Sequence, residues 1–550
     1  MNKSRYLKKI YFLIFINSLI INFKIHSNAN INNYLIQDNK KYNKSCNNKD
    51  NSNCNNRCSD YSSSSSNNSC CSMSKSSDCL EFQNDCDNCK FRCSNDFAIS
   101  RTIFIPRSLT PDSGLDLPLG NYQFYHNNPL FPEERYFFTF QASYFHLQSR
   151  KEYELAAYFL PNGRKCIDIK QDGTGDVGSL WLNIIAPDGN TFSSTICLSP
   201  RRTVNGGFLN FYFDFNNWIC GTWLSIAFAV MRSEQTICIK EDSAEKNVIR
   251  ALNNKDWTAG RFCPNKLIKT GVDDIQFKLG WNYYCINMDH IGLYFVATAP
   301  TGQRTRNRII FEPVVGHRNG SAGVGFNSDF TSWVRGNSAL NWMADLKYRY
   351  EFSYDTRRLF DLCSNGPWSR YLLVTTPDNP DISYPGVNYF VKQVKAATRS
   401  TLDFWTALHY HYCNLNLEIG YDLYWRDNER ICFKSCNSEN LPVGIYDLNG
   451  AALGDPVSAS DANITETSSL FGTNYPRSDL IFQTVEKYDL NISSGSRPTA
   501  FTNTIYGGLS YNSHCFCIPY MLGFVAMYEF VYGNTAFEQW GVQVRTALSF

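Results

Sequence analysis

The sequence predicts an all-β fold, an antiparallel transmembrane β-barrel of roughly 14 to 18 strands. A signal peptide and a disordered leader rich in Cys, Asn and Ser are predicted to precede the barrel. Three observations carry this prediction: an apolar stretch close to the N-terminus, long segments in which every second residue is apolar, and a last amphipathic strand that runs to the terminal Phe550. A strand that is complete to its final residue indicates a sheet that closes on itself, because an unpaired edge in lipid leaves backbone groups unsatisfied.

The start of the chain has the features of a signal peptide. A basic stretch, MNKSRYLKK, is followed by the apolar segment Ile10–Phe23 and then by small residues suited to a signal-peptidase site. The apolar segment is shorter than the ~20 residues of a spanning helix, and it is interrupted by Asn17 and Asn22. We therefore predict cleavage after Ala29. N-terminal sequencing of the protein from membranes should give Asn30 as the first residue, and a retained apolar segment would contradict this.

The segment that follows is predicted to be a leader without a hydrophobic core. Nine of the 21 cysteines lie between Cys46 and Cys93, among Asn and Ser. Such a composition is typical of flexible, low-complexity chain. Cys86 and Cys89 have C-x-x-C spacing, but neither a second such pair at zinc-ribbon spacing nor a partner His follows. We predict disulfides or unpaired thiols here, and no metal site.

Alternation of period two dominates the rest of the chain. It is clearest in Asn341–Tyr354 and Asn414–Arg426, where an aromatic and aliphatic face alternates with a charged one. A large water-soluble β-sandwich is the alternative, but strands of ten or more residues and aromatic residues near strand ends favour a bilayer. The predicted organisation is a signal peptide (1–29), a leader (30–100), a pre-barrel segment that plugs the lumen or lies in the periplasm (101–133), and the barrel (134–550).

The charged faces predict the lining of a lumen. If the aromatic face meets lipid, the charges on the opposite face point inward, because a Lys or Arg on the lipid face near mid-membrane costs ~2 to 4 kcal/mol. Four of the candidates are basic and four are acidic, which predicts weak ion selectivity. The candidate pore-lining residues are Lys278, Asp345, Lys347, Arg349, Glu351, Glu418, Asp422 and Arg545.

A C-terminus in the periplasm fixes the side on which every connection lies. Counting back from the last strand, the sequence predicts short inner turns and long outer loops. The connections predicted outside are 533–536, 432–479, 376–388 and 334–338, and those predicted inside are 512–519, 412–414 and 356–367.

The C-terminal stretch WGVQVRTALSF resembles the assembly signal of bacterial outer-membrane β-barrels. This resemblance implies that Phe550 is presented to the barrel-assembly machinery. Five further segments are similar to a porin-like family of outer-membrane barrels from host-associated bacteria; they are 101–108, 311–330, 365–374, 429–436 and 489–511. The resemblance implies a location in the bacterial outer membrane and contact with its lipid, but not what is transported. A barrel of 14 to 18 strands encloses a lumen that side chains alone cannot fill, so we predict a channel for passive or weakly selective passage of small polar solutes. The sequence leaves a homo-oligomer open. The alternative is a structural or adhesive surface protein with a plugged barrel.

Enzymatic motifs are not predicted. The chain has no G-x-x-x-x-G-K-[ST], H-E-x-x-H or G-x-S-x-G motif. His409, His411 and Asp403 share one strand face and would suit a hydrolase inside the barrel, but such residues are also expected in a wet lumen. The net charge of +2 gives no reason to expect nucleic acid as a partner. We predict no enzyme, no catalytic residue, no metal and no cofactor.

Overall fold

The structure is a computed structural model that describes residues 100–112, 115–116, 136–186, 191–283, 289–376, 378–434, 443–445, 464–465, 489–515, 518–533 and 535–550. The fold is reported for these residues. The predicted signal peptide with its cleavage site at Ala29, the Cys-rich leader and most of the second half of the pre-barrel segment lie outside them.

Twelve long strands of the described chain form one antiparallel barrel. They are β1 (Phe138–Arg150), β2 (Arg201–Asp214), β3 (Thr222–Thr236), β4 (Ile275–Asn282), β5 (His290–Ala299), β6 (Ser321–Arg335), β7 (Ser338–Glu351), β8 (Arg399–Tyr412), β9 (Leu415–Arg426), β10 (Ala500–Cys515), β11 (Ile518–Val531) and β12 (Glu538–Ser549). Eleven of them have ten or more residues, which is enough to cross a bilayer at a tilt.

Each strand pairs with its neighbours along the chain, and the first strand pairs with the last. Strand β1 pairs with both β2 and β12, so the sheet has no open edge at the seam. The register at the seam runs from Thr139 opposite Ser549 to Arg150 opposite Glu538. The predicted all-β fold and antiparallel barrel are therefore confirmed.

The predicted number of strands, 14 to 18, is wrong, because the barrel has twelve within the described residues. Some short strands in the long connections also alternate in polarity, but they pair with one another away from the barrel. Cys166–Lys170, for example, pairs with Ser193–Leu198, which in turn pairs with Ile239–Glu241. The alternation of such segments cannot be told from that of a short membrane strand by sequence alone.

The two ends of the barrel differ strongly. At one end, which we call the turn end, the connections 215–221, 283–289, 336–337, 413–414 and 516–517 have two to seven residues. The connections at the other end, which we call the loop end, are 151–200, 237–274, 300–320, 352–398, 427–499 and 532–537. Strand β12 ends at the turn end, on the same side of the barrel as the short connections; that this side is the periplasm stays a prediction.

Two of the predicted sides are wrong. Residues 334–338 were expected outside but contain a tight turn at the turn end, and residues 356–367 were expected inside but lie in the loop-end connection 352–398. One error produced the other. The short strand Tyr354–Leu359 does not cross the barrel wall, so counting residues 356–367 as an inner turn also reversed the side of the connection before it.

The loop-end connections pack together around a hydrophobic core of their own. This core includes Phe104, Trp181, Phe311, Trp368 and Phe390, all buried. Two helices, α1 (Glu152–Phe159) and α2 (Asn247–Leu252), belong to these connections, and none of the described helices is long and apolar enough to cross a bilayer. The connections also contain 3-10 turns and short strands.

The 3-10 turns are Pro161–Gly163, Ser179–Leu182, Ser369–Tyr371 and Gly386–Asn388. The short strands outside the barrel wall are Cys166–Lys170, Val177–Gly178, Ser193–Leu198, Ile239–Glu241, Tyr354–Leu359, Asp361–Leu362, Leu373–Thr376, Asn379–Pro385, Val391–Ala397, Arg430–Phe433, Gly444–Ile445 and Leu490–Asn491. Leu267–Val272 extends the sheet by pairing with β3. A disulfide joins Cys166 to Cys197 across two of these strands.

The outer face of the barrel is apolar and its inner face is polar. In β7, Leu346, Tyr348 and Tyr350 are exposed, whereas Lys347 and Arg349 between them are almost completely buried. Leu417 and Ile419 of β9 are exposed in the same way. Apolar side chains on the outside of a closed barrel are stable where lipid, rather than water, surrounds it.

The terminal Phe550 completes the seam. Its N–H donates to the carbonyl of Phe138 (2.8 Å) and its own carbonyl accepts from the N–H of Phe138 (3.1 Å). The two rings stack with centroids 6.0 Å apart. Each backbone bond contributes only about 0.5 to 1.5 kcal/mol. These contacts alone therefore explain a modest effect on stability.

We expect deletion of Phe550 to lower the amount of folded barrel far more than this modest effect, because the predicted assembly signal is lost with it. The measurement is the fraction of heat-modifiable protein in outer-membrane preparations. Phe530→Ala is a matched control, since it removes an exposed ring (43% exposed) from a neighbouring strand without touching the C-terminus. Equal barrel levels in the deletion and in the control would contradict the assembly role.

Candidate functional site

A segment of the chain before β1 runs from the loop-end connections into the barrel; its described residues, 100–112 and 115–116, are called the plug segment here. Its first residues are held among the loop-end connections. The Ser100 hydroxyl lies 3.2 Å from a carboxylate oxygen of Asp361, and the Thr102 N–H donates to the carbonyl of Ser494 (2.9 Å). The Thr102 hydroxyl donates to the carbonyl of Leu359 (2.8 Å). The segment then runs into the lumen.

Arg107 is the first charged residue of the plug segment within the barrel, and three carboxylates of the wall surround it. Its guanidinium lies 3.0 Å from Asp422, 3.6 Å from Asp403 and 3.8 Å from Glu529. It also stacks over the ring of Tyr424, 4.6 Å from the centroid. Because these partners come from β8, β9 and β11, the side chain must lie inside the barrel and not on its surface.

Two acidic residues of the plug segment pair with basic residues of the wall. Asp112 forms an ion pair with Arg349 of β7, and Asp116 forms one with Lys278 of β4. Asp112 is fully buried and Asp116 is 7% exposed. Breaking a buried ion pair by removing one partner costs about 3 to 5 kcal/mol, because the other charge is left in a poorly solvated site. The ion pairs therefore fix the plug segment in one position.

The backbone of the plug segment is also held by the wall. The Lys347 ammonium donates to the carbonyl of Pro111 (2.7 Å), and Gln276 donates to the same carbonyl (3.1 Å). Arg545 of β12 donates to the carbonyl of Leu115 (3.3 Å). Buried carbonyls need such donors, because an unsatisfied one costs free energy comparable to a lost hydrogen bond.

The opposite side of the plug segment is apolar. Leu109 and Leu115 are buried in a cluster that includes the inward-facing Phe145 of β1 and Val204 and Phe208 of β2. The plug segment is thus amphipathic across the lumen, with its charges toward one part of the wall and its leucines toward β1 and β2. Both kinds of contact hold it.

Asp273 holds the plug segment to the loop end, and its neighbour Asp274 holds another loop-end connection. The Asp273 carboxylate accepts from the Ser108 hydroxyl (2.7 Å) and from the N–H groups of Leu109 (3.1 Å) and Thr110 (2.9 Å). Asp274 accepts from backbone N–H groups of the connection 300–320. Burial and the neighbouring Asp273 carboxylate raise the pKa of Asp274 to about 7.

His317 adds a third contact at the same place. Its Nε2 donates to the carbonyl of Pro106 (2.6 Å). Burial, followed by the nearby positive charge of Arg497, lowers the pKa of His317. The imidazole is thus neutral at physiological pH and serves as a hydrogen-bond donor, not as a charge.

The structure places all eight candidate pore-lining residues on the buried face of their strands. Five of them contact the plug segment: Lys278, Lys347, Arg349, Asp422 and Arg545. Asp345 accepts from the hydroxyl of Tyr294 (2.7 Å), and Glu418 lies 3.3 Å from His409. Glu351, the last residue of β7, is 2% exposed. Whether these side chains line an open pore stays a prediction.

The residues considered for a hydrolase are not brought together as a catalytic set. His409 lies beside Glu418, and His411 lies 2.6 Å from the amide oxygen of Asn416. Asp403 instead lies near Lys347 and Arg349. Within the described residues, no group of three or more His, Cys, Asp or Glu side chains is arranged to hold a metal ion.

Sequence reasoning missed the partners contributed by the plug segment. Arg107, Asp112 and Asp116 lie outside any alternating stretch, so no periodicity marks them. One signal could have indicated them. Charged and turn-forming residues are dense in this short segment directly before the barrel, which suggests a segment with defined partners instead of a solvated linker. Asp403 was noticed, but for its histidine neighbours and not for its basic ones.

Comparison with known proteins gives only distant similarities. No protein-family model matches the sequence, and no curated protein matches it. An outer membrane channel from Pseudomonas putida F1 is 10% identical, with a TM-score of 0.34, covering 76% of this chain and 97% of its own. A FadL homologue from Pseudomonas aeruginosa is 8% identical, with a TM-score of 0.28, and the match covers 82% of this chain and 99% of that one. The translocator domain of the autotransporter NalP from Neisseria meningitidis is 7% identical, with a TM-score of 0.25, and the match covers 80% of this chain and 98% of that one.

Similarity at this level carries no argument about this chain, so its class rests on its own strand pairing. A closed antiparallel barrel with an apolar outer face, a charged interior, short turns beside the C-terminus and long loops opposite has the architecture of outer-membrane β-barrels. The protein is an outer-membrane β-barrel of the bacterial cell envelope. We expect its turn end to face the periplasm and its loop end to face the cell exterior, because outer-membrane barrels have short periplasmic turns and long extracellular loops.

Proposed function

We propose that the protein is a channel for small polar solutes, closed by its own plug segment. The observation that supports this most is the chemistry of the lumen wall. Charged residues of both signs line it on strands β4, β7, β9 and β12 at positions that alternate with apolar, outward-facing side chains. A passage lined in this way suits hydrated polar solutes better than apolar ones.

The plug segment makes passage conditional. It occupies the lumen through ion pairs and hydrogen bonds, without a described covalent link to the wall, so that it can move without unfolding the barrel. Solutes pass when the plug segment shifts away from the wall formed by β7, β8 and β9. Mixed charges on the wall favour weak ion selectivity.

Swelling of liposomes that contain the purified protein tests this function. We expect slow entry of glycine and arabinose above the rate of protein-free liposomes, and no entry of the tetrasaccharide stachyose. Protein that was heat-denatured before reconstitution is the control. A channel would be contradicted if native and denatured protein gave equal rates of solute entry. This result would have to hold both for the wild type and for a variant with a weakened plug segment.

A structural or adhesive surface protein is the second candidate. It is favoured by the loop-end connections, which form a hydrophobic core and a disulfide between Cys166 and Cys197 instead of separate loops. In that case the plug segment is permanent and the function lies in the loops. A barrel that stays impermeable after its plug segment is weakened would support this candidate.

Several partners follow from the proposed location. Outer-membrane lipid contacts the apolar outer face, and the barrel-assembly machinery binds the C-terminal strand during biogenesis. A homo-oligomer stays a prediction, and the sedimentation of detergent-solubilised protein tests it. We also propose that the barrel works without a cofactor and without enzymatic activity.

A further inference from the structure

The plug segment places one positive and one negative side chain into a single charged patch of the wall. The positive group is the guanidinium of Arg107, and the negative group is the carboxylate of Asp112. The patch lies on strands β7, β8, β9 and β11, its side chains are buried, and we call it the wall site. It consists of Lys347, Arg349, Asp403, Asp422, Tyr424 and Glu529.

The wall site has a separate place for each of the two charges, and one tyrosine contacts both groups. The Arg107 guanidinium lies 3.0 Å from Asp422 and over the ring of Tyr424, 4.6 Å from its centroid. The Tyr424 hydroxyl donates to the Asp112 carboxylate (3.3 Å), which also pairs with Arg349. The two places therefore adjoin, and one small molecule with a cation and a carboxylate can fill both.

The plug segment leaves part of the wall site unsatisfied. Three cationic side chains, those of Arg107, Lys347 and Arg349, lie 3.6 to 3.7 Å from Asp403. Among the described residues, however, neither oxygen of Asp403 accepts a hydrogen bond, and one oxygen of Asp422 accepts none either. Buried polar groups without partners are costly. A ligand with more N–H donors than the plug segment would therefore satisfy the wall site better.

The charges of the wall site restrict the kind of ligand. Three carboxylates face two cations, so the wall site carries a net negative formal charge, which Arg107 and Asp112 together leave unchanged. A plain anion meets like charge at Asp422, and a plain cation meets like charge at Arg349; both contacts are unfavourable. A ligand with two cationic groups and one carboxylate avoids both conflicts and balances the charge.

We propose that the wall site binds amino acids with a basic side chain, and that the plug segment occupies it as an internal ligand. This inference rests on the proposed channel, for which it names the class of solute. The side-chain cation takes the place of Arg107 over the ring of Tyr424. The ligand carboxylate takes the place of Asp112 at Arg349, whose planar guanidinium suits a carboxylate. The neighbouring α-ammonium group supplies N–H donors to Asp403.

The plug segment competes with a free solute because both fill the same site. A short tether gives an internal ligand an effective concentration in the mM range. The apparent affinity for a free ligand falls with the fraction of molecules in which its site is vacant. Removing the two charges of the plug segment should therefore uncover the wall site and raise its apparent affinity.

Equilibrium dialysis of the purified, detergent-solubilised barrel with radiolabelled L-arginine tests the inference. The double variant Arg107→Ala with Asp112→Ala removes the internal ligand and keeps the wall site, and heat-modifiable mobility shows whether it folds. We expect it to bind L-arginine at least about tenfold more tightly than the wild type. Agmatine, which is arginine without its carboxylate, and pentanoate, which has no cation, should each bind this variant at least about tenfold more weakly than L-arginine.

Changes in the wall provide the controls. In the double variant, Asp422→Asn should lower the affinity for L-arginine at least about tenfold. Asp329→Asn is the matched control, because Asp329 is also a buried carboxylate of the wall but accepts from the amide of Asn341 (3.3 Å). We expect Asp329→Asn to leave the affinity unchanged. If the double variant does not fold, Asp112→Asn, which keeps the shape of the side chain, replaces it with the same expected order of affinities.

Three results would overturn the inference. They are equal affinities for L-arginine and agmatine, a folded variant that binds no L-arginine, and an equal loss of affinity in Asp422→Asn and Asp329→Asn. None of them affects the channel if arabinose still enters liposomes. Binding of L-arginine by a barrel that no solute crosses would instead contradict the channel alone, because dialysis measures binding without transport.

Discussion

Arg107→Glu is expected to open the lumen. The variant places a carboxylate among Asp403, Asp422 and Glu529, which hold the native guanidinium at 3.0 to 3.8 Å. Removing one partner of a buried ion pair costs about 3 to 5 kcal/mol, and like-charge repulsion adds to this. At 1.4 kcal/mol for each tenfold change, the displaced plug segment gains roughly two to four orders of magnitude in population. Conductance of single molecules in planar bilayers measures the effect.

The control for this variant is Arg164→Glu. Arg164 also pairs with one carboxylate, Asp176 at 2.9 Å, but it lies in a loop-end connection and its side chain is 55% exposed. An exposed pair contributes about 0 to 1 kcal/mol. We therefore expect the conductance of the Arg164→Glu variant to match that of the wild type. Heat-modifiable mobility shows whether each variant still forms the barrel. A folded Arg107→Glu barrel that conducts no better than Arg164→Glu would show that the plug segment does not gate the lumen.

Neighbouring residues of β7 are expected to respond in opposite ways to changes of charge. Leu346 and Tyr348 are 41% and 42% exposed on the outer face, where an Arg costs up to ~2 to 4 kcal/mol at mid-membrane. The double variant Leu346→Arg with Tyr348→Arg should therefore lose most of its inserted barrel. Heat-modifiable protein in outer-membrane preparations measures the loss.

The inward-facing pair is the matched comparison. Lys347→Glu with Arg349→Glu should keep the barrel, because water can enter the lumen and solvate the new charges. The ion pair between Arg349 and Asp112 is lost, so the plug segment is released as well, and the reversal potential should move toward that of cations. If both double variants insert equally well, or equally poorly, the assignment of the two faces is wrong.

The alternation of side chains made the barrel and its two faces predictable. In β7 the local sequence is sufficient to assign the inner and outer faces, because successive side chains of any strand point to opposite sides and only one side carries charges. The terminal Phe550 added the expectation of a closed sheet. These are local properties of the sequence, and they do not depend on where the rest of the chain lies.

The strand number and the plug segment could not be predicted in the same way. Cys166–Lys170 alternates like a barrel strand, with Ile167 and Ile169 on one face, and only its pairing partners show that it belongs to the loop end. The ion pair of Asp112 with Arg349 joins residues 237 positions apart in the chain. A contact of this kind follows from where the whole segment runs, and no spacing within either stretch of sequence encodes it.

The central claim is that the plug segment enters the lumen of an outer-membrane barrel and is held there by the wall, and photo-cross-linking tests it most directly. Leu109 is 2% exposed and clusters with residues of β1, β2 and β3. A benzophenone amino acid replaces it and is activated by light in outer membranes. This cross-linker needs no engineered cysteine, so the native cysteines stay unchanged. Mass spectrometry of the digested protein then identifies the attached peptides. We expect intramolecular cross-links to strands β1, β2 or β3. Cross-links confined to other proteins or to lipid, with none to these strands, would contradict the claim.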